Sequence, residues 1–177
     1  SWIPKGMLGY NPEIGLQYNP EKARALLAEA GYPSGENFPE TYFMFDTRDD
    51  NKAIAEKLQN QWQKILGVKI SSRNEEWKVY LDSQHTKNFM LQRAGWIADY
   101  VDPHVFLEIW VSGNGNNDTN WSNAAYDQLF QQALTAKTDA ERYEIYQKMD
   151  AILVDEVPVI LDLIEDIKAD IQQALGA

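Results

Sequence analysis

Residues 41–71 carry the pattern that most restricts the possible folds, because two short strands flank one amphipathic helix. Residues 41–45 form an apolar, aromatic run of the length of a buried strand, and residues 68–71 alternate like a second strand. The helix between them ends at Gly67, and its apolar face comprises Ile54, Leu58, Trp62, Ile65 and Leu66. Such a βαβ unit favours a parallel or mixed sheet covered by helices. We therefore predict an α/β fold with a mixed sheet and helices on both faces.

Capping residues and apolar spacing predict further helices. Asn19 and Pro20 open a helix that Gly31 closes, and its face comprises Ala23, Leu26, Leu27 and Ala30. Asp49 or Asp50 is placed to cap the helix of the βαβ unit, and a short helix is expected over residues 76–83. Helices over 125–136 and 138–153 follow, the second opening with a capping box between Thr138 and Glu141. A strand over 157–161 and an amphipathic helical tail over 162–177 complete the prediction.

Composition excludes several function classes. A formal charge of −11 provides no basic patch for nucleic acid. The absence of cysteine excludes a disulfide framework and thiolate chemistry, and His85 and His104 lack partners at metal-ligand spacing. The loop over 112–122 lacks the residue order of an EF-hand, so neither a metal nor another cofactor is expected. No apolar run approaches the roughly 20 residues that span a bilayer, and we expect no export signal in this chain.

The stretch over residues 93–103 is the candidate binding site. It follows an apolar run that begins at Phe89, and it holds an arginine, a glycine, two aromatic residues and the carboxylates Asp99 and Asp102 before Pro103 ends it. This composition indicates a strand that runs out into a polar loop. Loops fixed at the end of a rigid strand are where binding residues concentrate.

Several motifs in order along the chain resemble the extracellular solute-binding proteins of ABC importers for peptides, nickel and related solutes, in particular the oligopeptide-binding members. The matching segments are residues 19–23, 29–33, 62–68, 76–78, 93–103 and 158–160. The resemblance implies the type II periplasmic-binding-protein fold and a receptor whose two lobes close on a ligand. Residues 1–161 then correspond to the second lobe alone, without the first lobe, and residues 162–177 to a tail foreign to the family. The parent is expected in the periplasm or anchored outside the cell, with ABC-importer membrane subunits as partners.

The resemblance also assigns roles to individual residues. Asp99 matches the aspartate that receives the α-ammonium of a short peptide or similar solute, with a helix-cap or surface role as its alternative. Gly95 matches a position where a ligand backbone approaches the strand, with a bulge or tight packing as its alternative. Trp96 and Trp77 match aromatic pocket walls. Arg93 could receive a peptide carboxylate, or pair with Asp99 or another acid. Gln84 stands where the oligopeptide-binding relatives can carry an arginine, and Asn51 where they can carry a histidine. Those residues help to hold the ligand's carboxyl end, so their absence puts the ligand's length and class in doubt.

Two other hypotheses for the function compete with that of a peptide receptor. The first is a folded module without binding activity, because half a cleft cannot exclude water from a ligand. The second is an enzyme using carboxylate pairs such as Asp99 with Asp102 or Glu75 with Glu76. Because the sequence carries no nucleophile elbow, phosphate loop or metal set, we predict that the chain is not an enzyme.

Overall fold

The computed structural model describes residues 1–156 and Pro158. This part of the chain divides into two compact units. The sheet unit is Gln17–Gly95, and the helical unit combines Ser1–Leu16 with the described residues that follow Gly95. The predicted strand over 157–161, apart from Pro158, and the predicted tail helix over 162–177 lie outside the described residues. The boundaries of a single lobe over 1–161 stay a prediction.

The described residues contain three strands and six α-helices. The strands are β1 (Thr41–Asp46), β2 (Ile70–Glu75) and β3 (Leu91–Gln92). The helices are α1 (Pro20–Glu29), α2 (Asp49–Leu66), α3 (Trp77–His85), α4 (His104–Leu107), α5 (Ala124–Thr135) and α6 (Asp139–Glu156), with 3₁₀ turns at Pro33–Gly35 and Glu108–Trp110. No helix in the described part of the chain is long and apolar enough to span a membrane.

The sheet unit is built on the predicted βαβ segment. Its strands lie in the order β2-β1-β3, and β1 pairs in parallel with both neighbours, so the described sheet is parallel rather than mixed. Crossovers between parallel strands are right-handed, and the connections through α2 and α3 run in opposite directions across the sheet. The two helices therefore lie on opposite faces, in agreement with the burial of both Phe43 and Met44, whose side chains alternate along β1.

The helices of the sheet unit bury less than their apolar spacing predicts. The Asn19 side chain accepts the Lys22 N–H (2.9 Å) and caps α1 as expected, yet α1 buries no residue completely and Leu26 is 53% exposed. The reason is that α1 lies against α2 and the neighbouring 3₁₀ turn, which cover one side of it. In α2, Ile54 and Leu58 are buried, whereas Trp62, predicted to be core, is half-buried. Asp49 and Asp50 lie within the first turn instead of capping it.

The backbones at two glycines of the sheet unit, Gly35 and Gly67, are in close contact. Gly67 ends α2 with a left-handed φ of 73°, and a Cβ there would lie 2.1 Å from the Ser34 carbonyl oxygen. Gly35 faces it with the same φ of 73°, and its Cβ would lie 2.6 Å from the Gly67 carbonyl carbon. Only glycine fits this contact between two backbones. The residue predicted to close α2 is therefore also a packing residue.

The helical unit packs α4, α5 and α6 around one core with the N-terminal segment. Fully buried members are Ile3, Leu107, Tyr126, Tyr146, Met149 and Leu153. The buried Asp150 carboxylate accepts the Trp2 N–H (2.6 Å), which fixes the N-terminal segment to α6. The Thr138 hydroxyl accepts the Glu141 N–H (3.2 Å) as predicted, but the Glu141 carboxylate accepts the Lys137 N–H (3.0 Å) instead of completing a capping box.

Candidate ligand-binding site

The predicted strand before the candidate site is shorter than expected. β3 starts at Leu91 rather than Phe89, because Lys87 takes a left-handed φ of 58° and the Asn88 N–H returns to Ser83 O (2.8 Å) at the end of α3. The Arg93 N–H still donates to Met44 O (2.8 Å), after which the chain has no regular structure up to Ala98. Residues Arg93–Gly95 belong to the sheet unit, and the rest of the stretch belongs to the helical unit.

The two carboxylates of the stretch have different surroundings. Asp102 pairs with the Arg142 guanidinium (2.9 Å) and accepts the His104 N–H (2.8 Å), so it anchors the loop to α6 and the start of α4. Asp99 is exposed, and no residue described in the helical unit donates to it or pairs with it. The fold therefore engages Asp102 in two contacts and leaves Asp99 exposed.

Negative charge surrounds Tyr100, the residue next to Asp99. The pKa of Tyr100 is raised by burial first, and then by the charges of Glu108, Asp102 and Asp99. Burial also raises the pKa of Tyr146 to about 12, with Asp102 adding to the effect. The phenols therefore stay neutral at physiological pH, while the surrounding carboxylates favour a cationic group. Burial acts to lower the pKa of Arg142, but Asp102 and Tyr146 raise it, and the net shift is upward.

The Trp96 side chain lies at the edge of the helical unit's core. It is half-buried and packs against the core of the helical unit, and its buried indole Nε1 has no acceptor among the described residues. Packing against the core fixes the ring, which a pocket wall requires. Its assignment as a wall stays a prediction.

Arg93 and Gly95 are in contact in the sheet unit. The Arg93 Nη1 donates to Ala94 O (2.8 Å), and an ideal Cβ on Gly95 would lie 2.8 Å from that same Nη1. No carboxylate described in this unit pairs with Arg93, whereas Arg73 pairs with Glu75 (2.5 Å) and Arg48 with Asp46 (3.0 Å). Arg93 thus differs from Arg73 and Arg48 in having no carboxylate partner among the residues described in the sheet unit.

Tyr80 contacts two of the predicted site residues, and sequence reasoning did not identify it. Its ring is buried and stacks on Trp77 (centroids 5.7 Å apart, planes at 15°), and its hydroxyl donates to Arg93 O (2.5 Å). Trp77 itself is 53% exposed at the start of α3. One buried side chain therefore supports two predicted ligand residues. The available signal was a tyrosine three positions after Trp77, since a buried phenol needs a hydrogen-bond partner.

We expect Tyr80→Phe to destabilise the chain by about 1–2 kcal/mol, because the ring stays packed while the Arg93 carbonyl loses its donor. Urea unfolding of the 177-residue chain measures this effect, with an unchanged m-value expected. The control is Tyr18→Phe, which removes a hydroxyl from a side chain that is 66% exposed and should change stability by less than about 0.5 kcal/mol. Equal effects of the two substitutions would contradict the assigned bond.

Gln84 and Asn51, the two positions predicted to bear on ligand specificity, lie in different environments. Gln84 is half-buried in the last turn of α3. Asn51 is completely buried, and its Nδ2 donates to Asp46 Oδ1 (2.5 Å), so its amide holds the start of α2 to the end of β1. An amide in that position is not exposed for a ligand.

Of the carboxylate pairs considered for catalysis, Glu75 and Glu76 are both engaged in structural contacts. Glu75 is buried and paired with Arg73, and the Glu76 carboxylate caps α3 by accepting the Lys78 N–H (2.9 Å). Within the described ranges, no cluster of three or more His, Cys, Asp or Glu side chains could hold a metal ion.

Solved structures with the same fold define the class of protein. The murein tripeptide-binding protein MppA of Escherichia coli superposes with a TM-score of 0.80 at 33% identity, over 89% of this chain and 32% of that one. The oligopeptide-binding protein OppAIV of Borrelia burgdorferi gives a TM-score of 0.81 at 35% identity, over 88% of this chain and 32% of that one. The fold is therefore that of the type II periplasmic binding proteins, as predicted.

Sequence comparison gives the particular family. The family described as bacterial extracellular solute-binding proteins, family 5 Middle, matches residues 1–118. The oligopeptide-binding protein OppA of Bacillus subtilis is 34% identical over 152 residues, which make up 85% of this chain and 28% of that protein. The chain belongs to family 5 of the bacterial extracellular solute-binding proteins, and it spans under a third of the length of these relatives. The relatives are solute-binding proteins and not enzymes, which confirms the prediction on catalysis.

Proposed function

We propose that the chain is the ligand-binding second lobe of a two-lobed receptor that captures short peptides for an ABC importer. Its relatives include proteins named for binding oligopeptides and murein peptides. The observation that carries the proposal is the contrast between Asp102, which the fold engages twice, and Asp99, which it leaves exposed. Asp99 then receives the α-ammonium of the peptide.

The chemistry of Asp99 suits this role. A carboxylate and a primary ammonium form a charge-assisted hydrogen bond, worth about 1.5–3 kcal/mol where a neutral one is worth about 1 kcal/mol. The neighbouring charges of Asp102 and Glu108, both of which raise the pKa of Tyr100, add to the attraction for a cation. A cationic end group is therefore the part of the ligand that this loop selects.

The other predicted residues have their own roles in the proposed function. Arg93 receives a carboxylate of the ligand, because its guanidinium has no acidic partner in the described sheet unit. Trp77 and Trp96 form side-chain pocket walls, Gln84 contacts the ligand's carboxyl end, and the backbone at Gly95 pairs with an extended ligand by β-augmentation. The broad aromatic surfaces favour tolerance of different peptide side chains.

The proposal places the parent receptor in the periplasm or anchored outside the cell. The first lobe closes on the second around the peptide, and the ABC-importer membrane subunits receive the closed receptor. Closure excludes water, which strengthens every charged contact inside the cleft.

Isothermal titration of the two-lobed receptor with tri- and tetrapeptides tests this function. We expect saturable binding of peptides with a free amino terminus, and at least tenfold weaker binding of the same peptides after N-acetylation, because acetylation removes the ammonium. Binding of neither form would overturn the proposed ligand class, and equal binding of both would overturn the role of Asp99.

A second candidate, a folded module without binding activity, is favoured by the exposure of the proposed contacts in this chain. Trp77 is 53% exposed and Asp99 is exposed, so a ligand on this chain alone stays hydrated. Saturable micromolar binding of a tripeptide to the 177-residue chain would contradict this candidate.

A further inference from the structure

We infer that Gly95 is a positioning residue for Arg93. Because Gly95 has no Cβ, it leaves a space, here called the seat, in which the Arg93 guanidinium is held ready for an anionic group of the ligand. The inference deepens the proposed function and rests on it, because the anionic group is the carboxylate of the peptide. This role is independent of the backbone pairing at Gly95 in the proposed function, because it acts through the Arg93 side chain.

The seat is defined by three contacts. The Arg93 N–H donates to Met44 O (2.8 Å) and its carbonyl accepts from the buried Tyr80 hydroxyl, so the backbone of Arg93 is held on both sides. The side chain then curves over the following residues, where Nη1 donates to Ala94 O (2.8 Å). Both the start and the end of this side chain are thus fixed.

The glycine is needed by the side chain and not by the backbone. An ideal Cβ on Gly95 would lie 2.8 Å from Arg93 Nη1 and 3.9 Å from Cζ, and it would meet no other atom within 4 Å. Gly95 is not among the glycines with a positive φ, so alanine is compatible with its backbone conformation. A Cβ here therefore displaces one flexible guanidinium and leaves the fold unchanged.

A guanidinium held in this way is ready to bind an anion. One terminal nitrogen is engaged by Ala94 O, Nε is buried without a partner among the described residues, and no carboxylate described in the sheet unit neutralises the charge. The planar group keeps donors for a carboxylate. Fixing an arginine before binding removes much of the entropy cost of ordering a long side chain in the complex.

The experiment is a double-mutant cycle on the two-lobed receptor with Gly95→Ala and Arg93→Gln. Each variant is titrated with a tripeptide that has a free carboxyl end and with its carboxyl-terminal amide. We expect Gly95→Ala to weaken the free acid about three- to tenfold, in line with the cost of immobilising one rotamer-rich side chain, and the amide less than about twofold. In the Arg93→Gln background the further effect of Gly95→Ala should vanish.

Gly115→Ala is the matched control, because Gly115 also lacks a positive φ and a Cβ there would meet nothing within 4 Å. It should leave both affinities and the melting temperature unchanged. Equal weakening of acid and amide by Gly95→Ala, or an effect that persists with Arg93→Gln, would overturn the inference in favour of backbone docking. Equal wild-type affinity for acid and amide would also overturn it, while leaving peptide binding intact.

A measurement without ligand separates this inference from the proposed function. The Arg93 Nε–H is buried, so its NMR signal in the 177-residue chain should exchange slowly with water. Gly95→Ala should speed that exchange about tenfold or more by displacing the guanidinium, and Gly115→Ala should not. Unchanged exchange in Gly95→Ala would overturn the seat even if the receptor binds peptides.

Discussion

Asp99→Asn in the two-lobed receptor is expected to weaken binding of a tripeptide with a free amino terminus by about 10- to 150-fold, the equivalent of about 1.5–3 kcal/mol. The substitution keeps the size of the side chain and removes its charge. Because Asp99 is exposed and no residue described in the helical unit pairs with it, this unit loses no described contact and the melting temperature should not change. Titration calorimetry of the wild-type and variant receptors measures the effect.

The N-acetylated form of the same tripeptide is the control for this substitution. It carries no ammonium, so wild-type and Asp99→Asn receptors should bind it with affinities within about twofold of each other. Asp139→Asn, at a carboxylate that interacts with Arg142 on the surface of α6 (3.2 Å), provides a matched protein control and should leave both ligands unaffected. If Asp99→Asn weakened both ligands equally, the carboxylate would act on the loop and not on the ammonium.

Gly67→Ala should be the most destabilising single-methyl substitution considered for this chain, with a loss of about 3 kcal/mol or more in the free energy of unfolding. Two costs combine at this position. A left-handed φ of 73° is unfavourable for alanine, and the added Cβ would lie 2.1 Å from the Ser34 carbonyl oxygen, an atom of the backbone that cannot rotate away. Urea unfolding of the 177-residue chain measures the sum.

Gly31→Ala isolates the first of these costs. Gly31 also follows a helix and has a positive φ of 93°, but a Cβ there would meet nothing within 4 Å. It should cost only about 1–2 kcal/mol, the conformational penalty alone. A Gly67→Ala variant no less stable than Gly31→Ala would mean that the Pro33–Gly35 turn moves aside, and that the backbone contact between Gly35 and Gly67 is not a fixed part of the fold.

The fold could be predicted where local chemistry and long-range packing agree. The strand at 41–45, the cap at Asn19 and the glycine that ends α2 are set by spacing and by backbone requirements within a few residues. Apolar spacing could not tell how much of each face is covered, because coverage depends on which element lies opposite. Leu26 is exposed for that reason, and Trp62 is half-buried.

The sequence predicted which residues are candidates for the site, but not the hydrogen bonds that hold them in place. The resemblance identified Asp99, Arg93, Gly95 and Trp77 as candidates from their order in the chain. The Tyr80 hydroxyl donates to a carbonyl 13 residues away, and no periodicity encodes such a bond. The burial of Asn51 against Asp46 could not be predicted from the sequence either, because an asparagine in the first turn of a helix is usually solvated.

Because Asp102 anchors the end of the loop, neighbouring loop positions differ in how much they contribute to stability. Ile97 and Val101 are 89% and 92% exposed, so they add almost nothing to the stability of the helical unit. The Asp102–Arg142 pair and the hydrogen bond from the His104 N–H to Asp102 hold the end of the loop, whichever residues stand at those two positions. Substitutions at Ile97 and Val101 can therefore accumulate beside Asp99 without compensating mutations in the core.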